Sequence, residues 1–329
     1  LFDEGYAGLH ARLSASDSPD AAAFLAAFDD FSFKYGCRGP NEWETRSPTW
    51  ETEPDLALAA IDRMRLSGES AAPRLHNADR ATDRERIGAE IAAMLEGDPE
   101  TQAQFQAALN AATVFMPGRE RTNTYNIKLV QEMRVAYHEF GRRRVADGTF
   151  RQVNDFGLLT RAELRESVDD PGKYTSVLEE REALMEEVEA LQEPFLFHGG
   201  RPDMSSYPRR DAAEITAVEA GEVVHGVPGC PGIVRGIARV VLDSHDPSAL
   251  DPGDILVAPI TDPSWTPLFV PAAGVVVDVG APLSHAIIVS RELGIPCVVS
   301  ATDATKRIPD GATIEVDGDT GVVTIIELP

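Results

Sequence analysis

The 329-residue sequence predicts a multi-domain α and α/β protein, with an N-terminal all-helical domain followed by a compact α/β domain. Three observations carry that expectation. Up to about Phe197, apolar residues recur at i, i+3 and i+4 spacing, the period of helices that pack by one face. From Val227 onward the pattern changes to short Val/Ile runs between Gly and Pro turns. Between the two, Gly199, Gly200, Pro202 and Pro208 stand among charges without periodicity, the composition of a linker. The expected boundaries are 1–198 for the helical domain, 199–225 for the linker and 226–329 for the second domain.

Taken in order, helical spacing covers Ala21 to Tyr35, Asp55 to Leu66, Asp83 to Leu95, and Pro99 to Phe115. A further long amphipathic helix is expected over Thr124 to Asp147, ending before Gly148. Thr160 reads as the N-cap of a short helix entering at Arg161. The Glu-rich stretch Tyr174 to Leu191 is expected to be helical, with Pro194 beyond it as a stop.

Composition limits function. The formal net charge of -24 disfavours nucleic acid and anionic membranes as partners, and no apolar run is long enough to span a bilayer. Cys37, Cys230 and Cys297 lack metal-ligand spacing, which points to a reducing cytoplasm, and no metal site is expected. The chain opens at Leu1 without an initiator Met, inside a helical pattern, so a fragment of a longer protein is expected. No Gly-rich phosphate loop with its Lys occurs in the N-terminal half.

The chemistry concentrates in Gly280-Ala281-Pro282-Leu283-Ser284-His285-Ala286-Ile287-Ile288-Val289-Ser290-Arg291. Gly274 to Val279 is continuous Val with one Asp, a buried strand, and Ala286 to Leu293 has helical spacing. His285 thus falls at a strand-to-helix turn, where free backbone N–H groups and the positive end of the helix dipole favour an anion. A neutral imidazole there is suited to carry a phosphoryl group. Gly280 would form the turn, Ser284 would cap the helix or bond a phosphate oxygen, and the N–H groups from Ala286 on would meet the phosphate. Arg291 reads either as an anion partner or as a surface residue paired with Glu292.

From Gly226 to Glu327 the chain resembles the mobile phosphohistidine domain of the PEP-utilising enzymes. The resemblance is carried by Gly229-Cys230-Pro231-Gly232 with Gly236, by Asp254 to Pro259, by Thr261-Asp262-Pro263-Ser264-Trp265-Thr266-Pro267-Leu268, by the His285 motif, by Glu292 to Val299, and by Asp310 to Gly321, read as a closing hairpin. The family often has a second Gly where Ala281 stands, and Thr where Leu283 stands in the dikinase and synthase branches. Leu283 looks more like the antibiotic-phosphotransferase branch. The helical half resembles the same branch through Tyr35-Gly36-Cys37-Arg38-Gly39-Pro40-Asn41-Glu42 and Pro48-Thr49-Trp50, although Cys37 stands where many relatives have His. Arg119-Glu120-Arg121 and Gly157 to Leu164 follow in family order.

The resemblance implies a swivelling β/β/α phosphohistidine domain behind an acceptor-binding helical domain. It implies an ATP-dependent phosphotransferase in which a separate ATP-grasp domain or subunit, holding ATP and Mg2+, phosphorylates His285, and the mobile domain delivers the group to a small-molecule acceptor, a hydroxyl in the rifampin-phosphotransferase branch. No cofactor is expected within the chain itself. Weaker candidates for the acceptor site are Arg38, Glu42, Arg119, Glu120, Arg134 and His138, the last lying four residues after Arg134 on one helical face. Two other readings stand beside this one: a non-catalytic binding or regulatory module, and a stand-alone phosphocarrier subunit of a PEP synthase-like system.

Overall fold

The computed structural model describes residues 1–66, 73–192, 194, 197–200, 202–209, 218–242, 244 and 249–329, with side chains omitted for 73–79. Part of the segment read as a linker, residues 201 and 210–217, lies outside the described residues. A helical N-terminal region is followed by a mixed-sheet domain. The described residues fall into two compact units. The first comprises Leu1–Trp43, Ser47–Leu129 and Ala217–Pro329, and the second Glu44–Arg46 and Val130–Thr216. Among the described residues no helix is long and apolar enough to cross a membrane.

The helices are α1 (Leu9–Ser14), α2 (Pro19–Tyr35), α3 (Pro54–Leu66), α4 (Pro73–Met94), α5 (Pro99–Ala146), α6 (Arg161–Asp169) and α7 (Thr175–Glu189). In the first unit, Leu9, Leu13, Phe28, Ala57 and Leu58 of α1, α2 and α3 form one apolar cluster. A row of rings, Phe24, Phe28, Phe31 and Trp50, continues along α2 with centroids about 6 Å apart. The sequence led us to expect a break between Phe115 and Thr124, but α5 runs unbroken for 48 residues through Pro117. Pro117 costs one ladder hydrogen bond, a penalty of about 3 kcal/mol, and helix on both sides offsets it. Thr113, Thr122 and Thr124 bond back to the carbonyls of Leu109, Gly118 and Glu120 within the same helix.

The second unit packs Phe150, Phe156, Leu158, Leu159 and Leu178 together. Thr160 caps α6 as its sequence position implied. Its N–H donates to Glu163 Oε2 at 2.7 Å and Glu163 N–H returns the bond to Thr160 Oγ1. Arg181 of α7 holds the same carboxylate with two bonds of 2.6 and 2.9 Å, which keeps Glu163 ionised down to about 2. Helix α7 ends at Glu189, ahead of Pro194.

The sheet domain contains β1 (Val223–His225), β2 (Val227–Cys230), β3 (Ile233–Val240), β4 (Ile255–Ala258), β5 (Gly274–Val277), β6 (Cys297–Val299), β7 (Thr313–Asp317) and β8 (Val322–Glu327), with short helices α8 (Thr266–Phe269), α9 (His285–Leu293) and α10 (Ala304–Arg307). Strand order is β1-β8-β7-β3-β4-β5-β6-β2. Strands β3 to β6 run parallel, and the remaining pairs are antiparallel, with β7 and β8 forming the expected hairpin.

Strands β4, β5 and β6 are buried on both faces, which is why they read as unbroken apolar runs rather than alternation. Their side chains still divide by the two-residue pleat. Leu256, Val275, Val277 and Val299 face Leu268, Phe269, Ile287 and Val289 of α8 and α9. Ile255, Val257, Val276 and Val298 face Ile308, Ile314, Val316 and Val323 on the other side. Helix α9 therefore lies on the sheet by its Ala286, Ile287, Val289 and Leu293 stripe. Gly294, at φ 72°, ends it in a left-handed turn.

Candidate functional site

In a parallel sheet, the loops after neighbouring strands leave from the same edge. Strands β4 and β5 are parallel neighbours, so Pro259 to Trp265 and Asp278 to Ser284 emerge together. The second loop is anchored twice: the Asp278 carboxylate accepts the Thr305 N–H at 2.9 Å, and Ser300 Oγ donates to the Gly280 carbonyl at 2.7 Å. Gly280 is a packing requirement, since a Cβ there would sit 2.6 Å from Val299 Cβ. Ser284 takes the N-cap position of α9 without a side-chain cap bond, and its Oγ is buried with no partner among the described residues. The first turn leaves the N–H groups of His285, Ala286 and Ile287 without intrahelical acceptors.

His285 opens α9 and is half-buried. Its Nδ1 lies 3.1 Å from the Thr261 hydroxyl, and its Nε2 lies 3.3 Å from the Thr266 hydroxyl, which itself donates to the Pro263 carbonyl at 2.8 Å. The ring meets Phe269 edge-on at 5.5 Å. Burial pushes the imidazole from its usual 6.5 down to about 4; the Asp262 carboxylate opposes this and the Arg38 guanidinium adds to it. The ring is therefore neutral across the physiological range.

His285 opens on a cavity of about 750 Å³ within the first unit, walled by Arg38, Trp43, Arg119, Glu120, Ile288 and Glu292 among others. Thr122, Asn123 and Asn126 of α5 add hydrogen-bonding groups to the wall. Arg38 Nη1 donates to Glu42 Oε1 at 3.1 Å, and Glu42 is almost fully buried, so Glu42 holds the arginine and leaves the cavity to it. Arg119 and Glu120 pair at 2.9 Å inside α5, not ahead of a helix start as the sequence suggested.

The cavity thus gathers Arg38, Arg119, Glu120 and His285 from the expected set. Arg134 and His138 belong to the second unit. There Arg134 is fully buried and donates to Gln131 Oε1 and to the Glu44 carbonyl, tying the Glu44–Arg46 segment to α5. His138 is half-buried with its ring 5.6 Å from that of Phe156. Arg291 Nε donates to the Gly229 carbonyl at 2.9 Å, clipping α9 to β2 beside a second contact from Cys230 Sγ to the Ser290 carbonyl. Arg291 is exposed, and its hydrogen bond is to backbone rather than to Glu292.

Reading the sequence did not single out Thr261, Thr266, Glu292 or the three polar residues of α5, whereas Trp43, read as a core or pocket-wall aromatic, lies on the cavity wall. The available signal for the threonines was a pair of hydroxyls flanking an Asp-Pro turn just past a buried strand. Trp43 is 56% exposed on the cavity wall, whereas Trp265 is 5% exposed.

Residues 250–321 match the mobile domain of the PEP-utilising enzymes, and residues 3–120 match the rifampicin phosphotransferase fourth domain. An uncharacterised protein of Mycobacterium tuberculosis is 36% identical over 215 residues, covering 64% of this chain and 23% of that protein. The prodigiosin synthesizing transferase PigC of Serratia marcescens is 33% identical over 317 residues, covering 93% of this chain and 34% of its own length. A rifampicin phosphotransferase of Streptomyces sviceus is 29% identical over 304 residues, 91% of this chain and 34% of that enzyme. The chain spans about a third or less of the length of these curated relatives. The chain thus carries, in order, a segment similar to the rifampicin phosphotransferase fourth domain and a segment similar to the mobile domain of the PEP-utilising enzymes.

Proposed function

We propose that this chain is the acceptor-binding and phosphohistidine part of an ATP-dependent phosphotransferase acting in the cytoplasm. A separate ATP-grasp module, holding ATP and Mg2+, transfers the β-phosphoryl group to His285 and releases AMP and phosphate. The mobile domain then presents phospho-His285 to a small organic hydroxyl compound in the cavity.

One observation carries the reading: a neutral, oriented imidazole at a helix N-terminus opens directly on a cavity of about 750 Å³. In the Nδ1–H tautomer, Nδ1 donates to Thr261 and the lone pair of Nε2 is the nucleophile on the cavity side; reaching this tautomer requires the Thr266 hydroxyl to turn from the Pro263 carbonyl toward Nε2. The free N–H groups at the start of α9 match the charge on the phosphoryl oxygens. Arg38 and Arg119 supply further positive charge at the wall. Phosphoryl transfer asks for positioning and charge neutralisation above all, and these groups provide both. Relatives named as a phosphotransferase and a transferase support this chemistry.

The test supplies the full-length parent or its ATP-binding partner with ATP labelled at the β-phosphate. The expected product is an acid-labile, alkali-stable phosphate on His285, absent from His285→Ala, that an alcohol or antibiotic panel discharges. An active ATP-binding module that leaves His285 unlabelled overturns the proposal.

A further inference from the structure

Two carboxylates line the cavity, Glu120 from α5 and Glu292 from α9. They differ in their surroundings. Glu120 is paired with Arg119 at 2.9 Å, whereas Glu292 has neither ion pair nor hydrogen bond among the described residues. Glu292 follows His285 by seven residues, two helical turns, so both side chains stand on one face about 10 Å apart along the axis. That spacing leaves room for a phosphoryl group and an acceptor hydroxyl between the imidazole and the carboxylate on the cavity wall. Between them, Ile288 and Val289 give that part of the wall an apolar surface.

We propose that Glu292 is the general base of the transfer step, a carboxylate that travels on the same helix as the phosphohistidine. The inference rests on the function proposed above. In the step, an acceptor hydroxyl oxygen forms the new O–P bond as the Nε2–P bond breaks. The electron pair of that bond returns to Nε2, Nδ1 keeps its proton, and the hydroxyl proton goes to Glu292, which later yields it to water. The products are a phosphate ester dianion, a neutral imidazole and a protonated carboxyl, with the same total charge as the reactants.

Glu292 is exposed toward the cavity, where partial desolvation holds its carboxyl above the ordinary glutamate value and the neighbouring charge of Glu120 raises it further, so it is a stronger base than a free glutamate. Arg38, Arg119 and His285 are the other charged or titratable groups at the cavity. Arg291 on the same helix is engaged by the Gly229 carbonyl, and Arg80 of α4, the helix packed against α9, acts on Cys230. Glu120 is thus the charged group that sets the basicity of Glu292.

The test needs no ATP module. His285 is phosphorylated chemically with phosphoramidate, and discharge to water and to methanol is followed as phosphate and methyl phosphate by 31P NMR. The wild type and Glu292→Gln should take up equal label, and Glu292→Gln should discharge it about 100-fold more slowly near neutral pH. The wild-type rate should rise with pH through a limb that Glu120→Gln moves to lower pH, an effect that a purely structural role for Glu292 does not produce. Equal labelling with equal discharge and an unchanged pH profile overturns the base while leaving the carrier role intact. Failure of wild-type His285 to take label overturns both.

Discussion

Lowering the pH should destabilise the sheet domain through one residue, His285. Its ring titrates at about 4 in the folded chain against 6.5 when exposed, because burial between Thr261, Thr266 and Phe269 disfavours the imidazolium. The unfolded chain therefore binds the proton first as pH falls below 6.5, and the folded chain follows only near 4. Across that window stability drops by roughly 3 kcal/mol, of which about 2 kcal/mol is lost between about pH 7 and about pH 5. A chain of two compact units is not expected to unfold in one step, so the readout should be local. Hydrogen exchange of the β4, β5 and β6 amides reports the sheet on which α9 lies. The wild type should lose about 2 kcal/mol more protection than His285→Asn over that interval, since the asparagine does not titrate and the many carboxylates cancel in the difference. Equal pH dependence in the two proteins, or an NMR titration of the ring with a midpoint near 6.5, would refute the reasoning.

Three further outcomes follow from the same geometry. Thr261→Val removes the partner of Nδ1, which should cost about 1–3 kcal/mol and slow labelling of His285 roughly tenfold, with Thr261→Ser restoring both; an unchanged labelling rate would dissociate Thr261 from ring orientation. Gly280→Ala drives a Cβ to 2.6 Å from Val299 Cβ, so thermal denaturation should show a loss of about 1–3 kcal/mol; an unchanged transition speaks against the clash. Trp43 is far more exposed than Trp265, so an acceptor entering the cavity should quench the fluorescence of the wild type and not that of Trp43→Phe.

The His285 turn was legible because its signals are local. A Val run, a Gly turn and an apolar helical stripe fix a strand, a loop and a helix within twenty residues, and the structure puts His285 at the first position of α9. The Thr160 cap was legible for the same reason, a capping box of four residues. Pro117 misled, since a proline signals a break only where the flanking helix cannot absorb one lost bond, and α5 has length on both sides. Arg134 and Arg38 show the limit of charge as a signal. Arg38 sits in a Gly-flanked turn and reaches a cavity, whereas Arg134, on the polar face of a long helix, is sealed against Gln131 and the Glu44 carbonyl. Helical periodicity states which face is polar but not whether another segment covers it. The cavity itself draws on α5, α9 and two turns separated by more than a hundred residues, which no local spacing rule connects.

The strand order has a consequence for handling and for folding. Strands β1 and β2 are separated by the single residue Gly226, yet they occupy the two opposite ends of the eight-stranded order. One short segment, Val223 to Cys230, thus seals both borders at once, β1 against β8 and β2 against β6. An exposed border is a template for self-association, and here the same eight residues remove both. A fragment cut at Gly226 would keep the β2 seal and lose the β1 seal, leaving β8 to pair with a neighbour. Such a fragment should form oligomers through its last strand, whereas one that begins before Val223 should stay dispersed. During synthesis the segment emerges before either of its partners, so it must wait for the final strand before the sheet can close.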